Sequence, residues 1–233
     1  MLIDSPRLSG AERDAWAVVE AADLRRARHG RARLDRLIAT SRQVIADYLA
    51  TGARPHVGVS WGKDSVVTAW LALSVEPTLP VRWVRSRRYA NPDCDAVRDV
   101  FLAAYPCDYE EIIADDHLAG EVKTWMAALN RKHRGRITGI RADESRARRL
   151  SAASHGYFTD ESCRPVLRWT EADIFAALAC FDLPTHPVYA MTGPGVWTRR
   201  DLRVSTVGYH EGIGMGRREW ERRYYADVLS RKP

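Results

Sequence analysis

The chain has 233 residues, 45% of them apolar and 28% charged, with a formal net charge of +6. This is the profile of a globular protein of one domain with a terminal elaboration, or of two small ones, with enough residues to bury a sizeable core. No apolar run approaches the ~18 residues of a membrane span and the amino terminus lacks the basic-then-apolar pattern of a signal peptide, so a cytoplasmic chain without membrane attachment is expected. The positive balance favours anionic ligands: nucleotides, pyrophosphate or nucleic acid.

Ser9 and Glu12 form a capping-box pattern ahead of an Ala-rich stretch, which predicts a helix running to Gly30. Leu34, Leu37, Ile38, Val44, Ile45, Tyr48 and Leu49 recur at helical spacing until Gly52 and Pro55 end the pattern. Residues 1–54 are thus expected to be an N-terminal helical segment. Arg25, Arg26, Arg28, Arg31, Arg33 and Arg36 cluster there, either to track a phosphate backbone or as a solvated face balanced by Asp23 and Asp35.

From residue 55 to 233 short apolar runs alternate with amphipathic ones, the sign of βα units and a parallel sheet. His56 to Ser60 reads as a strand, followed by a helix carrying Val66, Val67, Trp70 and Leu71 that stops before Pro77. A second strand spans Val81 to Ser86, and Asn91-Pro92-Asp93 opens a helix with Val97, Val100 and Phe101 on its apolar side. Tyr109 to Ala114 is a third strand. The next helix carries Leu118, Val122, Trp125, Met126 and Leu129 and closes at Gly135. Arg136 to Arg141 is a fourth strand, trailed by a short charged helix and a loop over residues 154–165. Thr170 and Asp173 frame a helix with Ile174, Phe175, Leu178 and Phe181 on one face, ended by Pro184 and Pro187. Gly193-Pro194-Gly195 is a turn, and residues 217–230 form a last helix with Trp220, Tyr224 and Val228 as its stripe.

Two constellations carry chemistry. Val57-Gly-Val-Ser60-Trp61-Gly62-Lys63-Asp64-Ser65 places a glycine turn between the first strand and its helix. The helix start offers unpaired N–H groups and a positive dipole end, Gly62 admits an anion, and Lys63, Ser60 and Ser65 add charge and hydroxyls. Gly58 is followed by three residues before Gly62-Lys63, and Asp64 stands where a Walker A loop has Ser or Thr, so this is a different cradle. The second is Gly139-Ile-Arg141-Ala-Asp-Glu144-Ser145-Arg-Ala-Arg148 at the carboxyl end of the fourth strand, the edge where parallel sheets bind ligands. Arg141 and Arg148 are suited to fork onto oxyanions, Ser145 offers a hydroxyl, and Glu144 can steady an arginine or reach a magnesium ion.

Ser60-Trp-Gly-Lys-Asp-Ser65 resembles the Ser-Gly-Gly-Lys-Asp-Ser pyrophosphate loop (PP-loop) of the N-type ATP pyrophosphatases, with Trp61 where many relatives have glycine, so that its side chain must point away from the phosphates. With residues 139–148, Pro165-Val-Leu-Arg-Trp169-Thr-Glu-Ala-Asp173, Leu183-Pro-Thr-His186-Pro-Val-Tyr189 and Arg203-Val-Ser205-Thr-Val-Gly208, the chain is similar to the phosphoadenosine-phosphosulfate-reductase-like group of adenine nucleotide α-hydrolases over roughly residues 55–230. The resemblance implies an α/β fold: a Rossmann-like five-stranded parallel sheet with helices on both faces. It implies ATP and Mg²⁺ as ligands. Ser60, Trp61, Gly62, Lys63, Asp64 and Ser65 would hold the β and γ phosphates, and Trp83 to Ser86, including Arg85, would lie beside adenine and ribose, largely through backbone groups. Arg141, Glu144, Ser145 and Arg148 would face the acceptor and α-phosphate, with Arg203 and Ser205 closing over it. His186 is expected to be structural.

The reductases of this group lack Lys-Asp in the loop and carry a redox cysteine in the carboxyl-terminal tail, whereas this chain keeps Lys63-Asp64 and has no cysteine after Cys180. The resemblance therefore implies ATP cleavage between the α and β phosphates to adenylate a small-molecule or nucleic-acid acceptor, in sulfur metabolism as sulfate activation or nucleic-acid thiolation. A GTPase or a cysteine desulfurase is a candidate partner, and a homo-oligomer is open. Two alternatives stand beside it: a phosphoadenosine phosphosulfate or adenylyl sulfate reductase using Cys94 or Cys163, and a nucleotide-gated nucleic-acid-binding module using the arginine-rich helices.

Overall fold

The computed structural model describes residues 1–114, 121–193, 195–208 and 215–230; the expected positions of Leu118 and Pro194 lie outside them. Helix α1 (Gly10–His29) starts with the expected capping box: the Ser9 hydroxyl accepts from the Glu12 N–H while the Glu12 carboxylate accepts from the Ser9 N–H at 2.9 Å. After a break at Gly30, α2 (Arg31–Ala50) buries Leu34, Ile38, Val44, Ile45 and Tyr48. The apolar stripes of both helices join the core of the α/β layer. Trp16 meets Phe175 edge-on at 6.1 Å, and Ser41 donates to the Pro165 carbonyl at 2.8 Å while accepting from the Trp169 indole at 3.0 Å. The N-terminal segment is therefore packed into the body that follows it.

That body runs β1 (His56–Gly58), α3 (Lys63–Val75), β2 (Val81–Ser86), α4 (Asp93–Ala104), β3 (Tyr109–Ala114), α5 (Glu121–His133) and β4 (Arg136–Ile137). A short 3₁₀ turn at Ala142–Glu144 leads to α6 (Arg146–His155), β5 (Phe158–Thr159), β6 (Ser162–Cys163) and α7 (Glu171–Cys180). A 3₁₀ turn at Pro187–Ala190, then α8 (Met215–Tyr224) and α9 (Ala226–Leu229), complete the order.

The sheet order is β3-β2-β1-β4-β6-β5, five parallel strands with β5 antiparallel at the edge. The fold class expected from the sequence is thus the one found, with one added strand. Residues 154–165, expected as loop, contain the β5–β6 hairpin, and β6 supplies the fifth parallel strand. β1 and β4 are shorter than expected because β4 pairs with β1 only through Arg136 and Ile137, after which it bends toward α3. The last helix breaks at Tyr225, whose ring turns inward so that its hydroxyl donates to the Asp93 carboxylate at 2.8 Å.

Topology places the crevice. From β1 the chain steps outward through β2 to β3, then returns across to β4 on the other side of β1. Right-handed crossovers put α3 and α4 on one face and α5 on the other. The strand order reverses between β1 and β4, and ligands of open parallel sheets bind outside the carboxyl ends at such a point. No helix among the described residues is long and apolar enough to cross a membrane.

Candidate nucleotide-binding site

The turn from Val59 to Gly62 is held by its own hydroxyls. Ser65 Oγ accepts from the Ser60 N–H at 3.2 Å and donates to the Gly62 carbonyl at 3.0 Å. Trp61 sits at φ +59°, the left-handed region that favours glycine. Its indole is fully buried, packed among Phe101 at 5.6 Å, Tyr109 at 5.8 Å and Trp83 at 6.4 Å. The aromatic cage holds the backbone where glycine would go unaided and turns the side chain away from the cavity.

Gly139 brings the second constellation onto the first. A Cβ there would lie 2.7 Å from the Asp64 carbonyl carbon and 2.8 Å from its oxygen, so only glycine lets the end of β4 pass this close to the α3 N-terminus. Arg141 follows, almost fully buried, with Nε donating to Asp64 Oδ1 at 2.6 Å. Lys63 is buried as well. Its ammonium lies 3.4 Å from Asp64, 3.5 Å from Glu171 at the start of α7, and 4.9 Å above the Tyr189 ring. The Lys63 N–H donates to the Tyr189 hydroxyl at 3.1 Å. Burial, with Asp64 nearby, raises the Tyr189 pKa far above the usual phenol range, so this hydroxyl stays neutral.

These residues line a cavity of about 430 Å³ that also receives Ser60, Gly62, Ser65, Glu144, Arg148 and Arg203. Arg148 pairs with Glu144, yet its pKa is lowered, first by burial and then by Arg203 and Arg141. A guanidinium made less comfortable by its cationic neighbours marks a local excess of positive potential suited to an oxyanion. Carboxylates balance it in part: Asp64, Asp143, Glu144 and Glu171 all line the cavity. Among the described residues no group of three metal-ligating side chains converges. Mg²⁺ commonly takes one or two carboxylates plus phosphate oxygens, and this donor set fits that mode, with Asp64 and Glu144 as candidate holders.

Five of the residues singled out in the sequence do not present their side chains to the cavity. Trp61 faces away, and Trp83 belongs to its cage. Arg85 is engaged by Asp95 at 2.7 Å and Glu111 at 3.1 Å and stacks on Trp83. Ser145 caps α6, accepting from the Arg148 N–H at 3.2 Å. Ser205 likewise lies off the cavity lining, accepting from Arg217 at 2.8 Å. Conversely Glu171, Tyr189 and Arg200 line it without having been singled out as site residues. Glu171 and Tyr189 lie inside the quoted motifs, which assign them no role by themselves.

The segment bearing Arg200 and Arg203 is tied at both sides. Arg199 forks onto Asp23 of α1 and stacks 3.9 Å above Phe175, Leu202 is buried, and the Val207 N–H donates to the Tyr89 carbonyl at 2.7 Å. His186 is fully buried and structural in its contacts. Its Nδ1 accepts from the Val188 N–H at 3.0 Å, so the neutral ring carries its proton on Nε2, 3.6 Å from Cys94 Sγ. Cys94 in turn donates to the Ser60 carbonyl at 3.8 Å. Burial raises the thiol pKa of Cys94 and pushes that of Cys163 up to about 12. Neither lines the cavity.

No protein-family model matches the sequence, and a search of curated proteins finds no significant match. Solved structures do match. FMN adenylyltransferase of Candida glabrata, in complex with FAD and inorganic pyrophosphate, aligns with a TM-score of 0.52 at 16% identity, over 68% of this chain and 61% of that one. The chain shares its fold with the aligned part of FMN adenylyltransferase. The same enzyme with FMN and the ATP analogue AMPCPP gives a TM-score of 0.52 at 15% identity over the same 68% and 61%. A further structure of it gives 0.51 at 15% identity, over 81% of this chain and 68% of that one. The chain thus spans about 61% of the length of the first of these neighbours.

Proposed function

We propose that the chain is an ATP pyrophosphatase of the PP-loop type, cleaving ATP between its α and β phosphates and transferring AMP to an acceptor. One observation carries this reading: at the strand-order reversal, Gly139 lets Arg141 and the Ser60–Ser65 turn with Lys63 meet in one cavity. Helix N–H groups, a buried ammonium and two guanidinia are then aimed at the same space. The structural neighbour supports it, having been captured with FAD and pyrophosphate and with FMN and an ATP analogue.

In this reading the α3 N-terminus, Lys63, Ser60 and Ser65 bind the β and γ phosphates, while Arg141, Arg148 and Arg203 face the α-phosphate and acceptor. An acceptor oxygen attacks the α phosphorus in line, the α–β bridging bond breaks, and pyrophosphate leaves with the bonding pair. Bound Mg²⁺ would neutralise charge on the triphosphate. Lys63 stabilises the departing charge, exchanging its contacts with Asp64 and Glu171 for phosphate oxygens. The basic rim of Arg148, Arg200 and Arg203 favours an acceptor that already carries an oxyanion, so no general base is required. Sulfur metabolism, as sulfate activation or nucleic-acid thiolation with a GTPase or cysteine desulfurase partner, is the narrower form of the proposal and rests on the motif resemblance. The reductase alternative is disfavoured by its thiols, which are buried, held protonated and off the cavity.

The test is pyrophosphate release from Mg-ATP, screened against sulfate, flavin mononucleotide, DNA and tRNA. An acceptor that accelerates release identifies the branch. Release that survives Lys63→Ala unchanged refutes the proposal.

A further inference from the structure

β3 is the outer strand of the sheet, and no strand among the described residues lies beyond it. It pairs with β2 residue for residue from Tyr109 to Ala114, so it carries no bulge. The ladder fixes which backbone groups look outward. The Val81 N–H donates to the Asp108 carbonyl and the Arg87 N–H to the Ala114 carbonyl. The even-numbered residues therefore serve β2, and the N–H and C=O groups of Tyr109, Glu111 and Ile113 point away from the sheet. Edge strands are ordinarily kept apart by lysine, proline, a bulge or bare charge, and β3 has no lysine, proline or bulge. Its two carboxylates do not guard it either, because the molecule cancels them itself. Glu110 lies 3.1 Å from Arg82, and Glu111 lies 3.1 Å from Arg85 and 2.9 Å from Arg98.

Above this edge α5 turns a second stripe outward. Trp125, Ala128, Leu129 and Lys132 follow the i, i+3, i+4, i+7 spacing of one helix face. With Glu110 and Ile112 of β3 they line a groove of about 470 Å³. Trp125 is 45% exposed, and Ile113, on the other face of the strand, 44%. An apolar, charge-balanced strip thus runs along one side of the molecule, with open backbone groups beneath it.

Symmetry selects the occupant. A second β3, turned about a two-fold axis, offers outward N–H and C=O groups at the same alternate positions, which is what an antiparallel ladder requires. With the axis at Ile112, that residue meets Ile112 of the second copy as a close, non-hydrogen-bonded pair of β-branched side chains. Glu111 then bonds across to Ile113 and Glu110 falls opposite Ala114, so no carboxylate faces another. An axis one residue earlier would set Glu111 on Glu111. The same operation lays the two α5 helices side by side and antiparallel. α5 is centred on β2, touching β1 and β3 to either side, so the two helices stand three strand spacings apart, roughly 14 Å. Helices in direct contact are about 8–10 Å apart, and the groove is the difference. Trp125 is large enough to fill it, Ala128 midway along the stripe leaves room, and Lys132 comes against Trp125 of the second copy as a cation on an indole.

We propose that the β3 edge and the outer stripe of α5 join two copies of this chain into a two-fold dimer with one continuous sheet. The test is sedimentation equilibrium of the full chain at micromolar concentration. Wild type sediments at twice the mass of one chain. Ile113→Lys, which puts a charge on the exposed edge, and Trp125→Ala, which empties the groove, each halve that mass while circular dichroism stays that of the wild type. Register is read by cross-linking. Non-hydrogen-bonded partners have Cα atoms about 4.5 Å apart, within the span of a disulfide, so Ile112→Cys joins to itself under mild oxidation. Glu110→Cys, facing Ala114, does not, and neither does the wild type with its four free cysteines. A wild type that sediments as a monomer, a dimer that survives either substitution, or a dimer whose Ile112→Cys form stays unlinked overturns the proposal.

Discussion

Replacing Trp61 separates backbone strain from packing. The indole is fully buried in contact with Trp83, Phe101 and Tyr109, and truncating such a side chain to alanine costs about 3–5 kcal/mol. The residue also occupies φ +59°, which costs an L-residue roughly 1–2 kcal/mol that glycine does not incur. Trp61→Ala loses the packing and keeps the strain. Trp61→Gly loses the same packing and releases the strain, for a net loss of about 1–4 kcal/mol. Glycine is therefore expected to be the more stable variant by about 1 kcal/mol, the reverse of the ordinary ranking of these two residues. Urea unfolding followed by circular dichroism measures both midpoints, with unchanged slopes confirming a common unfolded state. An alanine variant as stable as the glycine variant, or more so, would show that the turn is not held in the left-handed region and that the cage has another purpose.

Lys63→Ala is expected to lower pyrophosphate release at saturating Mg-ATP by about 10²-fold or more, as for other preorganised donors. Gly139→Ala forces a methyl to within 2.8 Å of the Asp64 backbone; it should destabilise the fold by about 1–3 kcal/mol and weaken ATP binding, measured by thermal unfolding with and without nucleotide. Tyr225→Phe leaves the buried Asp93 carboxylate and Asn91 amide each short of a partner, at a cost of about 1–3 kcal/mol in denaturant unfolding. Burial holds the His56 and His186 imidazoles down to about 4 and about 3 in the folded chain, against about 6.5 for a free imidazole. The unfolded chain thus binds more protons at mildly acid pH, and stability falls as pH drops from about 6.5 toward 4. A His186→Gln variant should show a shallower loss over that interval, and an identical slope would refute the assignment.

The phosphate loop was legible because its chemistry is local: strand, glycine, lysine and helix start lie within ten residues of one another. Gly139 and Arg141 were legible as strand-end residues, but their arrival against Asp64 depends on β4 lying beside β1, which no local pattern encodes. The β5–β6 hairpin was read as loop because each strand is two residues long, too short for alternation to register. Trp83 and Arg85 were assigned by position on β2. The places of their side chains, in the cage around Trp61 and against Asp95 and Glu111, arise only once α4 and β3 pack beside β2.

The two-sided tethering of the stretch from Arg199 to Val207 has a practical corollary. Its fixing points, the fork onto Asp23, buried Leu202 and the Val207 amide, are different residues from the exposed Arg200 and Arg203 between them. Exchanging those two arginines alters charge at the mouth without loosening an anchor. On the proposed reading, the charge that an acceptor meets is then set at two surface positions, which a small combinatorial library can cover while the phosphate loop is left intact.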